Sequence, residues 1–176
     1  MAFNSSPIDD LLKFRLFKNL KHPISEDITG KQYHKKIDLT KYNQGIILGG
    51  EINKIMVIDL DFYDKVDKND PEKIHYFDKE NSLFLNTFGN DYIKNFNTYT
   101  VQTGRGGYHL YFEFDNELKG TINEEHRIDV MTDSKKCGKK YIVGEGSSID
   151  GKYYRCIHNT YIKKIPNDLK NFILTY

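Results

Sequence analysis

The chain has 176 residues, 38% of them hydrophobic and 29% charged, with a formal net charge of +1. That length and balance predict one soluble α+β domain over residues 1–176, and they exclude a global basic field as the basis of nucleic-acid binding. No apolar run approaches the roughly 20 residues that span a bilayer, and the N-terminus lacks a charged-then-apolar secretory pattern, so neither membrane insertion nor secretion is expected.

Ser6-Pro7 followed by Asp9-Asp10 reads as a helix start, with an N-cap, a first-turn proline and acids at the positive end of the dipole. Ile8, Leu11, Leu12, Leu16 and Leu20 keep helical spacing, which predicts an N-terminal helix. Residues 21–40 are polar and irregular and predict loop with a short strand. Gly45-Ile-Ile-Leu-Gly49 predicts a buried strand, Gly50 to Asn53 a turn, and Lys54 to Leu60 a second strand. Asp64 to Asp70 is a charged loop in which Asp64 and Asp67 are read as solvated. Asp70-Pro71-Glu72 predicts a helix start, with Ile74, Phe77, Phe84 and Phe88 on the buried side and Gly89 at the end. Thr98 to Thr103 and Gly107 to Phe114 predict a hairpin turned at Gly104-Arg105-Gly106. Arg127 to Met131, Lys140 to Val143 and Lys152 to Ile157 predict further short strands. Pro166 opens a final helix with Leu169, Phe172, Ile173 and Tyr176 at i, i+3, i+4 and i+7. That last pattern runs to the final residue and predicts a piece of a longer protein.

Three sets of residues carry chemistry. Val57-Ile58-Asp59-Leu60-Asp61 ends an apolar strand with two acids at i and i+2, so period two places both carboxylates on one face. Like charges this close need a cation between them, and Mg²⁺ takes oxygen ligands of this kind. Taken alone, the pair reads more readily as a strand end in solvent. Asp129 is flanked by Ile128 and Val130; a carboxylate inside such a strand needs a partner, and Arg127 or the polar face of a sheet would serve. Thr103-Gly-Arg-Gly-Gly-Tyr-His-Leu-Tyr-Phe112 joins a one-arginine, Gly-rich loop to a strand carrying His109. Thr103, Arg105 and the Gly104, Gly106 and Gly107 amides can form an anion-binding nest, though a tight hairpin explains the glycines equally well. Among aromatics, His109 alone reads as a buried, hydrogen-bonded histidine. The Lys135–Lys140 stretch is a basic hairpin tip or a phosphate contact, and Ser147 either donates to a phosphate or caps its turn. Cys137 and Cys156 are read as reduced thiols of a cytoplasm-like compartment, with a single disulfide as the alternative.

The order of these sets is itself a pattern: two acids ending one strand, a Gly-rich loop with a histidine, then one acid in a later strand. It resembles the primase–polymerase catalytic domain of the archaeo-eukaryotic primase superfamily, with Ile58-Asp59-Leu60-Asp61, Gly107-Tyr108-His109 and Ile128-Asp129 in place of that family's three motifs. Thr103-Gly104-Arg105-Gly106-Gly107-Tyr108-His109 is similar to the Ser-Gly-Arg-Arg-Gly-x-His run of cellular primases, with threonine first and glycine in place of the second arginine. Gly45-Ile-Ile-Leu-Gly-Gly and Tyr141-Ile-Val-Gly-Glu-Gly-Ser147 look like flanking strands of the branch found in viruses and mobile elements. The resemblance implies an antiparallel sheet like an RNA-recognition module, with packed helices and an N-terminal α/β unit. It implies Mg²⁺ or Mn²⁺ held by Asp59, Asp61 and Asp129, and a triphosphate held by Thr103, Gly104, Arg105, Gly107 and His109, with Ser147 and Lys140 as further contacts. The implied substrates are NTPs or dNTPs on a single-stranded DNA template, with a fused or associated replicative helicase, in the cytoplasm or a viral replication compartment. Any cation standing in for the second arginine is expected from the Lys135–Lys140 loop. Two other readings stay open: a catalytically inactive nucleotide- or nucleic-acid-binding module, and a rolling-circle nuclease. The nuclease wants a His-x-His strand, and here Gly107 holds the place two residues before His109.

Overall fold

A computed structural model describes residues 6–29, 32–132 and 140–176. In chain order its elements are β1 (Lys13–Phe17), α1 (Ser25–Thr29), β2 (Tyr42–Ile47), β3 (Ile55–Leu60), β4 (Lys65–Val66), β5 (Ile74–His75), α2 (Leu83–Phe88) and α3 (Tyr92–Phe96). They continue with β6 (Thr100–Gln102), β7 (Tyr108–Glu113), β8 (Thr121–Asn123), β9 (Ile128–Met131), β10 (Tyr141–Val143), β11 (Ser148–Ile149), β12 (Lys152–Tyr153), β13 (Arg155–His158) and α4 (Asn167–Thr175). The architecture is mixed α and β with antiparallel strand pairing throughout its sheets, as expected.

The main sheet has six strands in the order β13-β6-β7-β3-β9-β8, and a second sheet has three in the order β1-β2-β10. Alternation along β3 divides the core between the two faces of the main sheet. Met56, Ile58 and Leu60 join Leu110, Phe112, Ile128 and Val130 against α2, α3 and α4. Ile55 and Val57 join Tyr99, Val101 and Tyr111 against Phe14, Leu16, Ile46, Ile47 and Ile142 of the smaller sheet. The main sheet is therefore the middle of three layers. On the helical side, Phe84 is fully buried and its ring meets Phe62, Phe88, Tyr92, Phe96 and Phe172; burying one such side chain is worth ~1.5–3 kcal/mol. No helix among the described residues is long and apolar enough to cross a membrane.

Two expected helices are corrected. The predicted N-terminal helix is a short turn followed by β1. Leu12 and Leu16 fit a helical stripe, but Phe14 and Leu16 fit a strand equally well. Pairing with β2 decides the matter, since it buries both. The helix expected from residue 70 begins only at Leu83. Before it, Asp67, Asp70 and Asp78 accept from the backbone N–H groups of Asn69, Glu72 and Glu80, local bonds that compete with helix formation. Asp64 and Asp67 are not merely solvated. Asp64 accepts from the Phe77 N–H, and Asp67 pairs with His75 at 2.9 Å, which together pin the β4–β5 hairpin. Gly89 does cap α2, with a φ of 73° and its N–H on the Leu85 carbonyl.

Candidate active site

β3 places Asp59 opposite His109 of β7 on one side and opposite Asp129 of β9 on the other. The three side chains form a row on the face that carries the smaller sheet, and Val101 extends it beyond His109. Asp61 lies one residue past the end of β3, where its N–H donates to the Arg127 carbonyl at 2.9 Å. One carboxylate oxygen from each of Asp59, Asp61 and Asp129 lies within 4.8 Å of the others.

Among the described residues, this cluster is short of positive charge. Lys65 Nζ is 2.5 Å from Asp61 Oδ2. Asp129 accepts from the Asn123 N–H at 3.2 Å. Asp59 Oδ1 is buried and accepts no hydrogen bond among the described residues, although His109 Nε2 stands 3.6 Å away. Burial, then repulsion from Asp61 and Asp129, pushes the Asp59 carboxyl up to about 7. Burial likewise raises Asp129 against the pull of Asn123. An orphaned buried carboxylate oxygen among three gathered acids fits a divalent cation with oxygen ligands. Arg127, one of the two partners expected for Asp129, instead donates to the carbonyls of Tyr63 and His75.

His109 is only 3% exposed. Burial, then the charge of Lys21, lowers its pKa to about 3, and Asp61 and the Val143 backbone only partly oppose them. The ring is therefore a neutral imidazole at ordinary pH, tilted against Tyr154 with centroids 5.7 Å apart.

The loop before His109 is a closed turn. The Thr103 N–H donates to the Gly107 carbonyl, the Gly106 N–H to the Thr103 carbonyl, and the Gly107 N–H to Thr103 Oγ1. Gly106 holds a φ of 93°, which the turn requires. The Gly106 and Gly107 amides close the hairpin, whereas those of Gly104 and Arg105 make no hydrogen bond among the described residues. Gly107 answers a second constraint, because a Cβ there would lie 2.6 Å from the Leu60 carbonyl, between Asp59 and Asp61 in the chain.

Beside this turn a cavity of about 130 Å³ is lined by Lys21, Gly104, Arg105, Asp150, Lys152 and Tyr154, among others. Ser147 is elsewhere. It is fully buried, accepting from the Gln44 N–H and donating to the Gln44 carbonyl, and so ties β2 to the turn after β10. Lys140 Nζ lies 2.9 Å from where a Cβ on Gly120 would stand. Residues 135–139, with Cys137, fall outside the described residues. Sequence reasoning missed Lys21, Lys152 and Tyr154. Lys21 sits in an irregular polar stretch, and no local pattern points it at the main sheet.

A family model described as bifunctional DNA primase/polymerase, N-terminal, matches residues 15–168. The chain belongs to that family. The match runs through every element that contributes to the row of acids, the Arg105 turn and the cavity, and it agrees with the resemblance drawn from motif order. Membership of the Prim-Pol family points to a primase/polymerase enzyme of the nucleotidyltransferase kind, acting on DNA and nucleotides with a metal ion. No curated protein matches the sequence.

Proposed function

We propose that this Prim-Pol domain carries out template-directed nucleotidyl transfer, adding NTPs or dNTPs to a new or existing primer on single-stranded DNA. The observation that carries the reading is the meeting of the Asp59, Asp61 and Asp129 oxygens within 4.8 Å, beside a buried neutral histidine. These three residues would hold Mg²⁺ or Mn²⁺, and the unpartnered Oδ1 of Asp59 supports that assignment. When bound, such an ion supplies the charge that activates a 3′-hydroxyl and offsets the negative charge building on the α-phosphate and the departing pyrophosphate.

The chain's own residues do the positioning, which is most of phosphoryl-transfer catalysis. Arg105 offers a planar fork to phosphate oxygens. The Thr103 oxygen already accepts from Gly107, so its hydroxyl proton is left to donate. The Gly104 and Arg105 amides extend the same grip. Neutral His109 contributes an N–H and no charge, which orients a phosphate oxygen beside Asp59. Gly107 keeps β7 close against β3. Lys140 remains a phosphate or template contact in this reading, and Ser147 acts through the fold. We also read the six-stranded sheet as the family's core resembling an RNA-recognition module, and the helicase association as a property of the full replication protein.

Asp59→Asn and Asp61→Asn are expected to abolish nucleotide incorporation while leaving the circular dichroism spectrum unchanged. His109→Ala is expected to weaken nucleotide binding more than DNA binding. Primer extension at the normal rate by the Asp59→Asn protein would overturn the metal assignment. Absence of product with NTPs and dNTPs, with and without primer, in either metal would favour a binding module.

A further inference from the structure

The Arg105 turn brings a single guanidinium to a site that has to hold three phosphates. Among the described residues, Lys21 and Lys152 join Arg105 at the wall of the cavity, with Asp150 as the one acid there. We infer that Lys21 and Lys152 bind phosphate, gripping together with Arg105 the polyphosphate chain of the incoming nucleotide. This rests on the nucleotidyl-transfer reading of the same site.

Four observations support it. First, like charges gathered at one small cavity repel unless an anion joins them. Arg15, Lys65 and Lys170 all have carboxylate partners, whereas Lys21, Arg105 and Lys152 have none among the described residues. Second, the backbone that carries Lys21 is fixed in place. The Tyr141 hydroxyl donates to the Lys21 carbonyl at 2.8 Å, Asn43 Nδ2 to the Leu20 carbonyl, and the Phe17 N–H to the His22 carbonyl. Asn19 bridges to Ile149 and accepts from the Ser148 hydroxyl, so the turn after β1 is docked against β11. Third, Gly104 lets the Arg105 turn lie directly on β12, since a Cβ there would stand 2.9 Å from the Lys152 carbonyl. Fourth, the cavity adjoins the acids. Tyr154 lines it and touches His109, whose Nε2 is 3.6 Å from Asp59. Phosphates in the cavity would thus lead on to the row of carboxylates.

The same chemistry would suit a template phosphate, so the test has an arm for each source. Binding of inorganic tripolyphosphate, of a dNTP and of a single-stranded oligonucleotide is measured by calorimetry on the full chain and on Lys21→Ala, Lys152→Ala and Lys21→Arg. Loss of one charge-assisted phosphate contact should weaken tripolyphosphate and dNTP binding by about tenfold in each alanine variant. Lys21→Arg should retain most of the affinity, and oligonucleotide binding should change little. In the transfer assay, KM for nucleotide should rise more than kcat falls. Alanine variants that bind tripolyphosphate like the wild type, a wild type that does not bind it, or a loss confined to the oligonucleotide would each overturn the inference. An active enzyme whose nucleotide KM ignores Lys21 and Lys152 would sink this assignment and spare the transfer reading. Lysine-dependent tripolyphosphate binding without any nucleotide transfer would do the reverse.

Discussion

A methyl group at position 107 would stand 2.6 Å from the Leu60 carbonyl, closer than real Cβ atoms come to any neighbour. Gly107→Ala must therefore push β7 away from β3 at the point where Asp59 and Asp61 project. We expect a stability loss of ~1–3 kcal/mol, the usual cost of overpacking, read by urea unfolding, with a larger proportional loss of nucleotide incorporation. Asp59→Asn behaves differently, because it removes a buried charge that Asp61 and Asp129 repel. In chelator its melting temperature should equal or exceed that of the wild type, and divalent ions should no longer raise it. At this scale the sequence was informative wherever a strand fixes direction. Period two put Asp59 and Asp61 together, and Asp129 and His109 met them through pairing. Lys21 was not legible, since a charged residue in a turn takes its direction from whatever the turn docks against.

Among the elements, α1 and β1 are joined by one buried carboxylate. Asp27 has a fully buried side chain and accepts from the Arg15 N–H and from Arg15 Nη2, both at 2.6 Å, with His34 Nε2 at 3.2 Å. Burial raises its pKa, but the Arg15 hydrogen bonds, with the His34 ring close by, outweigh that and hold it below the ordinary 3.8. A depressed folded value means that the stabilisation is full above about pH 4 and is lost as the pH falls through the folded value. Asp27→Asn should cost ~1–3 kcal/mol at neutral pH, the usual penalty for leaving hydrogen-bond donors without their charged acceptor. Its unfolding free energy should also fall less steeply than that of the wild type below pH 4. Short apolar strands such as β3 and the β6–β7 hairpin were legible from runs and turn residues. β1 was not, because Leu16 continues the helical spacing of Leu12 and also alternates with Phe14 as in a strand. The late start of α2 was hidden by aspartates, whose side chains bond their own backbone in ways that hydrophobic spacing does not record.

For the whole molecule, the three-layer arrangement lay beyond local reading. The smaller sheet pairs residues 42–47 with both β1 and β10, and Tyr141 lies opposite Ile47 only after most of the chain has folded between them. A ligand that binds only the folded chain stabilises it by mass action, about 2.7 kcal/mol at one hundred times its dissociation constant. Mg²⁺ or Mn²⁺ at saturating concentration should accordingly raise the melting temperature by a few degrees over a chelated sample, as scanning calorimetry would show. The central position of Asp59 has a kinetic consequence as well. Its row is completed by two non-local pairings, with β7 and with β9, and closing such long loops is slow. A growing chain that has emerged only as far as His109 exposes Asp59 and Asp61 without their third companion, and so has no ion cage to offer. Metal capture then marks the end of assembly and cannot seed it, so a half-made chain should neither trap the ion nor begin to polymerise.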